Sequence, residues 1–285
     1  MKEIAYLNGA FLPLNEAKIP VTDYGFLFGY GLYETCRVYQ GRLFRLDDHL
    51  ARLEKSARAL NIPCQISRLK EAALETVRLN PFENARLRLT LTPGPGSPAA
   101  DIRSCSSPTT LVTVVEYKPF PAETYKKGFR VIVFNLRRNS QSLLAGMKSI
   151  SFIESMLARQ EARIREVDDA LLLNDRGSLA EASSSNVFLV SGGVLITPAE
   201  GSGLLPGITR QVVIELAQAA GLKCREKDIQ PPEMQKAEEV FITNSMIEIM
   251  PVTVIEGRAV GSGVPGPVTR QLMEAYRDLV KAGLK

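Results

Sequence analysis

The chain has 285 residues, 45% of them hydrophobic and 23% charged, enough for one large globular domain or two modest ones. Its net charge of +4 is small and its basic residues are scattered among acids, which speaks against nucleic-acid binding. No apolar run approaches the roughly eighteen residues that span a bilayer, so no membrane partner is expected. The N-terminal stretch carries acids early and reads as no secretory signal. Cys36, Cys64, Cys105 and Cys224 are far apart and form no CxxC pair, which points to free thiols in a reducing, cytoplasmic setting. With His49 as the single histidine, a zinc site or a hydrolase built on several histidines is disfavoured, and no metal is expected. An enzyme of this composition must draw its chemistry from lysine, tyrosine, carboxylates or a cofactor.

In chain order, residues 3–8 and 10–14 read as strands around an Asn8-Gly9 turn, and 33–39 and 42–45 as a second pair around Gln40-Gly41. Leu50, Leu53, Ala57 and Leu60 share one face of a helix with Asp47 or Asp48 near its start. A second helix is expected over 67–77, then strands at 85–91 and 109–117. Between those strands lies a Gly/Pro/Ser-rich loop, 92–108, long enough to serve as a substrate gate or a cross-subunit contact. Pro119, Pro121 and Gly128 mark residues 119–128 as an interdomain linker. A strand follows it, then a long helix over 149–165, strands in 168–175 and 183–198, and a helix that Pro206-Gly207 opens and Gly221 ends. A strand at 237–245, a hairpin around Glu256-Gly257 and a last helix over 268–280 complete a mixed α/β or α+β chain.

Two residues invite a chemical reading. Lys148 lies in the largely apolar LAGMKSISF, where an amine of lowered pKa can form a Schiff base with an aldehyde. Equally, its stem can pack while the amine snorkels to water. Glu181, in LAEASSSNVF, can face a pyridinium N–H, or can be a turn acid. Gly207-Ile208-Thr209-Arg210 opens a helix whose free N–H groups suit a phosphate dianion, Thr243-Asn244-Ser245 ends a strand, and Arg52 offers a guanidinium fork. Each is common alone; together they describe a phosphate cup without a Walker A or GxGxxG sequence.

In order along nearly the whole chain, DYGFLFGYGLYET, GRLFRLDDHLARLEKSA, LAGMKS, LLLNDRGSLAEASSSNVFLV, LLPGITR, FITNSMIEIMPV and GPVTRQL resemble the class IV, fold-type IV, pyridoxal-phosphate (PLP) enzymes. That family includes branched-chain aminotransferases, D-amino acid aminotransferases and aminodeoxychorismate lyases. The resemblance implies a two-domain fold like that of D-amino acid aminotransferase, with PLP between the domains. A smaller N-terminal α/β domain would span 1–118, and a larger one, 129–285, would carry the PLP lysine. It implies that Lys148 is the Schiff-base lysine and proton shuttle, and that Glu181 faces the pyridine nitrogen. Arg52, Ile208, Thr209 and Ser245 would form the phosphate cup, and Asn186 would hold the loop beside the cofactor. Arg137 or Arg138 would fix Glu181, His49 would support the Arg52 region, and Tyr33 would border the substrate. It also implies at least a homodimer.

The branch is less legible. Thr92-Pro93-Gly94 lacks the arginine and nearby histidine of D-specific enzymes, while Arg88 matches a substrate arginine of branched-chain enzymes. Other branched-chain signatures near residue 28 and after Lys148 are missing, and LRLTLTPG and NSMIEIMPV look as much like the lyases. The leading expectation is ping-pong transfer between a branched-chain-like L-amino acid and 2-oxoglutarate, the alternative a lyase releasing pyruvate and p-aminobenzoate.

Overall fold

A computed structural model of the chain describes residues 3–283, which form two compact units. The first holds residues 3–118 together with Met147–Ser151 and Gly283; the second holds 119–146 and 152–282.

The first unit is built on a six-stranded sheet. Its strands are β1 (Ile4–Leu7), β2 (Ala10–Pro13), β3 (Leu32–Tyr39), β4 (Arg42–Leu43), β5 (Asn84–Thr92) and β6 (Thr109–Glu116), in the order β2-β1-β6-β5-β3-β4. Asn8 and Gly9 turn the first hairpin with φ of 50° and 106°, values that an Asn-Gly pair adopts at little cost. Three helices join it: α1 (Tyr24–Phe28), α2 (Leu46–Ala59) and α3 (Ile66–Leu79). Leu50, Leu53 and Ala57 of α2 and Leu69, Ala72, Ala73 and Val77 of α3 fall at helical spacing and are buried in one core. The sheet meets that core through alternate residues, Leu32, Cys36 and Val38 on β3 and Ala85, Leu87, Leu89 and Leu91 on β5. The period of two therefore sends Tyr33 and Arg88 to the other face, and puts Glu34, a charged residue, on the apolar one.

The loop after β5 is tied down along its length. The buried carboxylate of Asp23, which caps α1 through Gly25 N (2.7 Å), accepts the hydroxyls of Thr92 (2.8 Å) and Thr109 (2.6 Å) at the loop's two ends. The Tyr24 hydroxyl reaches Ser97 O (2.7 Å) and Asp101 O (3.0 Å), and Gly96 N donates to Thr22 O (3.1 Å). The short α1, absent from the periodicity because five residues carry none, is thus the anchor of the 92–108 excursion.

The second unit carries a nine-stranded sheet with helices on it. Its elements are α4 (Ala122–Lys127), β7 (Phe129–Arg138), α5 (Ile153–Ile164), β8 (Asp169–Asn174), β9 (Leu179–Ala182), β10 (Asn186–Ser191), β11 (Val194–Pro198), α6 (Ile208–Ala219), β12 (Cys224–Lys227), α7 (Pro231–Lys236), β13 (Glu239–Asn244), β14 (Glu248–Ile255), β15 (Arg258–Ala259) and α8 (Pro267–Ala282). The sheet runs β12-β11-β10-β13-β14-β7-β8-β9, with β15 beside β14. Ala158 and Ala162 let α5 approach Ala170 and Leu172 of β8 closely, and α6 and α8 pack on β13. Leu272, Tyr276 and Val280, four residues apart, are the buried stripe of α8.

Four features differ from the sequence reading. Residues 119–128 are no bare linker: they contain α4 and group with the second unit. The helix expected from residue 149 begins at Ile153. The stretch before it is extended because its backbone bonds elsewhere: Tyr33 N donates to Lys148 O (2.9 Å), Ile150 N donates to Gly31 O (3.0 Å), and Ser149 bridges to Leu32. Those bonds, with Met147 packed on the first core, place Lys148 in the first unit and not in the C-terminal domain where it was expected. Finally, Glu181 belongs to a strand, β9, paired with Leu172 of β8, and is not a turn acid.

Candidate active site

In the first unit Lys148 lies beside the start of β3. Its Nζ is 4.7 Å from the centre of the buried Tyr33 ring, and the Arg88 guanidinium carbon is 4.0 Å from the same centre. Arg88 reaches Tyr33 because β5 pairs Thr90 with Tyr33, which makes Arg88 the diagonal neighbour on the same face. Burial pulls the Arg88 guanidinium below its ordinary pKa, opposed by the Tyr33 hydroxyl. An amine, an aromatic ring and a guanidinium thus share one face of the first sheet.

Arg52 lies on the opposite, helix-covered side, on α2. Its Nε and Nη2 donate to the two oxygens of Glu34, at 2.9 and 2.7 Å, and His49 Nδ1 lies 2.7 Å from Glu34 Oε2. Positions 49 and 52 are one helical turn apart, so α2 presents both to the same carboxylate. Burial alone pushes the Glu34 carboxyl up, but the Arg52 charge and the His49 and Arg52 hydrogen bonds hold it at about 2. Burial lowers the His49 pKa, against the pull of Glu34. The ring is therefore neutral near pH 7, and since an ionised carboxylate only accepts, Nδ1 carries the proton. The expectation that His49 supports the Arg52 region describes this contact, but Glu34, through which it acts, went unread.

Glu34 also fixes a pH dependence. Its folded pKa lies below the ordinary 4.5, so between about 4.5 and about 2 the unfolded chain binds more protons. Its contribution to stability is complete above that window and is lost as the pH falls through it. Denaturant titrations across the window are expected to show the wild type losing stability faster than Glu34→Gln; parallel losses contradict the assignment.

In the second unit Glu181 and Asn186 hold the backbone of one residue, Leu205, on its two sides. Glu181 Oε2 accepts from Leu205 N (3.1 Å), and Asn186 Nδ2 donates to Leu205 O (2.8 Å). The other Glu181 oxygen accepts from Arg138 Nη1, which decides between the two arginines expected there. Both partners are largely buried, and the Arg138 Nε, also buried, has no hydrogen-bond acceptor among the described residues.

The clamped segment leads into α6. Gly207 is its N-cap and makes no side-chain cap bond; the helical ladder starts with Gln211 N donating to Gly207 O (3.0 Å). The N–H groups of Ile208 and Thr209 precede that ladder, where a helix offers donors and the positive end of its dipole. A Cβ on Gly207 would stand 2.0 Å from Asn186 Oδ1, so the close approach of this turn to Asn186 requires glycine.

Ser245 sits on the turn after β13. Asn244 builds that turn: its Oδ1 accepts from Met246 N (2.8 Å) and Ile247 N (3.0 Å), and its Nδ2 donates to Ser184 O (3.2 Å) and Ser185 Oγ (2.9 Å). Arg159 of α5 holds the same serine loop through Ser183 and Ser184. Asn244 was read only as part of the polar Thr243-Asn244-Ser245 strand end, without this turn-building role, and Arg159 was not singled out, since an exposed helix Arg looks ordinary.

The sequence pattern described as amino-transferase class IV matches residues 31–255, most of the chain. The chain belongs to this family. Members of the class IV family similar to it include a provisionally named branched-chain-amino-acid aminotransferase of Methanocaldococcus jannaschii, 37% identical over 98% of both chains. Aminodeoxychorismate lyase of Bacillus subtilis is 32% identical, over 97% of this chain and 94% of its own. The solved T.th. branched-chain amino acid aminotransferase with pyridoxamine 5′-phosphate superposes with a TM-score of 0.91 at 31% identity, over 98% of this chain and 94% of that one. The two α/β units are thus the fold-type IV architecture, and the chain is an enzyme of the class IV aminotransferase and lyase family.

The donor set suits a phosphorylated pyridine such as the pyridoxamine 5′-phosphate of that solved structure. An uncapped helix start of twelve residues with a required glycine suits a phosphate, and a buried carboxylate already ordered by Arg138 suits a protonated ring nitrogen.

Proposed function

We propose that the chain is a PLP-dependent aminotransferase that moves an amino group between a branched-chain-like L-amino acid and 2-oxoglutarate. The observation that carries this reading is the Lys148 amine, the Tyr33 ring and the Arg88 guanidinium on one sheet face. An aromatic wall suits an aliphatic side chain, and a guanidinium suits the second carboxylate of a dicarboxylate.

Bound PLP supplies an aldehyde carbon for the amino group and a pyridinium ring that accepts the electron pair left by a departing α-proton. Lys148 Nζ would provide the covalent anchor and, once free, would take the proton from the substrate α-carbon and deliver it to the carbon that receives the amino group. Glu181 keeps the ring nitrogen protonated, its other oxygen fixed by Arg138 and its orientation by Leu205 N. The backbone N–H groups of Ile208 and Thr209, with the hydroxyls of Thr209 and Ser245 and the guanidinium of Arg52, hold the phosphate. Asn186 keeps the Leu205–Gly207 turn in place for them. The exposed Phe26 and Phe28 of α1, and Ile153, Met156 and Leu157 of α5, support assembly as a homodimer.

A second reading, an aminodeoxychorismate lyase, is supported by the similarity to the Bacillus subtilis lyase. The D-specific reading lacks its carboxylate trap: the Thr92 hydroxyl is bonded to Asp23 and Pro93-Gly94 follow. A half-reaction panel separates the three. The PLP form is mixed in turn with L-leucine, L-glutamate, D-alanine and aminodeoxychorismate. Conversion to the pyridoxamine form by L-leucine and L-glutamate is expected; pyruvate and p-aminobenzoate without amino transfer, or conversion by D-alanine alone, overturns the proposal.

A further inference from the structure

Glu34 is an unusual occupant of its position. Its neighbours on the same face of β3, Leu32, Cys36 and Val38, belong to the apolar core, and its own exposure is 1%. A carboxylate there forfeits its hydration, and apolar residues of similar size fill such places at no loss of stability. The group is nevertheless held in full: Oε1 accepts from Arg52 Nε, and Oε2 accepts from both Arg52 Nη2 and His49 Nδ1. Burial and then the negative charge of Glu34 push the neighbouring Cys36 thiol well above its ordinary pKa, so it stays neutral beside the carboxylate.

The geometry of the pair says what it achieves. A bidentate contact through Nε and Nη2 fixes the guanidinium plane as well as its place, and turns the Nη1 edge away from Glu34. His49 fixes the carboxylate in turn, from the buried stripe of the same helix. An arginine on a flexible stem becomes a cation of set direction.

We infer that Glu34, braced by His49, is a positioning residue that aims Arg52 at a phosphate monoester and thereby sets how strongly the cofactor's phosphate end is held. This rests on the reading of Arg52 as a phosphate ligand given above. Two effects of Glu34 oppose each other. Its negative charge offsets that of Arg52 and weakens attraction to a phosphate; its fork removes the disorder that phosphate binding would otherwise have to overcome. Orientation prevails, because the guanidinium keeps its full charge beside Glu34 and loses its direction without it. Glutamine cannot replace it: one of its two terminal atoms is an N–H donor and would face a guanidinium N–H.

The test compares apo-protein binding of PLP with that of pyridoxal, which has the aldehyde and ring but no phosphate, for the wild type and Glu34→Gln. The variant is expected to bind PLP about tenfold more weakly, and pyridoxal within about twofold of the wild type. Unchanged or tighter PLP binding, or equal losses for both ligands, overturns the inference. If Glu34→Gln does not fold, His49→Phe, which leaves the Arg52–Glu34 fork and removes one brace, is expected to lose about threefold for PLP alone; an equal loss for pyridoxal again overturns it. A wild-type protein that binds neither ligand refutes instead the cofactor reading on which the inference rests.

Discussion

Replacing Lys148 by alanine is expected to lower the amino-transfer rate on the order of 10⁴-fold, since the anchor and the proton carrier are lost together. The backbone exchange of residue 148 with Tyr33 N uses its carbonyl and survives the substitution, so the protein should fold with little change in stability. The nearest ring, Tyr33, retains Arg88 against it. Binding of PLP should persist in part, through the phosphate donors, but without covalent attachment. Single-turnover kinetics with L-glutamate, together with denaturing gel filtration of the loaded variant, check both halves. A variant that keeps a rate within tenfold of the wild type would remove Lys148 from the chemistry.

Glu181→Ala should show its largest effect in stability. It leaves the Arg138 guanidinium buried, its side chain only 14% exposed, without the carboxylate that faces it. Loss of one partner of such a pair costs about 3–5 kcal/mol. Leu205 N loses its acceptor as well, which loosens the turn that leads into α6. Urea titration of the apo-protein reads this directly. Adding Arg138→Met to Glu181→Ala should recover most of the loss, because the unpaired charge is then gone. Equal destabilisation by the single and double variants would mean that the pair is not what the site depends on. Catalysis should stay low in both, since neither supplies a carboxylate for the ring nitrogen.

What could be read from the sequence depended on how local its cause was. The Asn8-Gly9 hairpin, the stripe of α2 and the helix opened by Pro206-Gly207 each arise from residues within one turn or one strand of one another, and each appears in the structure close to where it was expected. The segment around Lys148 did not behave so. Its residues continue acceptably into a helix, and what keeps them extended is hydrogen bonding to Gly31 and Tyr33, more than a hundred residues earlier. β9 was missed for a similar reason: the four residues Leu179–Ala182 make a strand only because β8 pairs with them.

The site was legible as a set of residues more than as a set of contacts. Ordered motifs singled out Lys148, Glu181, Arg52, Asn186, Ile208, Thr209 and Ser245 as candidates, and of what holds them gave only Arg137 or Arg138 beside Glu181 and His49 beside Arg52. That Glu181 and Asn186 both bind the backbone of Leu205 is a property of three separate segments, invisible to spacing. Glu34 was within reach, however. In LYETCRVY the alternation assigns Leu32, Glu34, Cys36 and Val38 to one face, and an acid on an apolar strand face calls for a basic partner. His49 and Arg52, one helical turn apart on the adjoining helix, were the candidates.

The central claim, that Lys148 is the residue to which PLP attaches, is tested most directly by trapping. The PLP-loaded protein is reduced with borohydride, digested and sequenced by mass spectrometry. A phosphopyridoxyl group on the peptide that contains Lys148 is the predicted result; the same group on another lysine, or no stable adduct, contradicts the account.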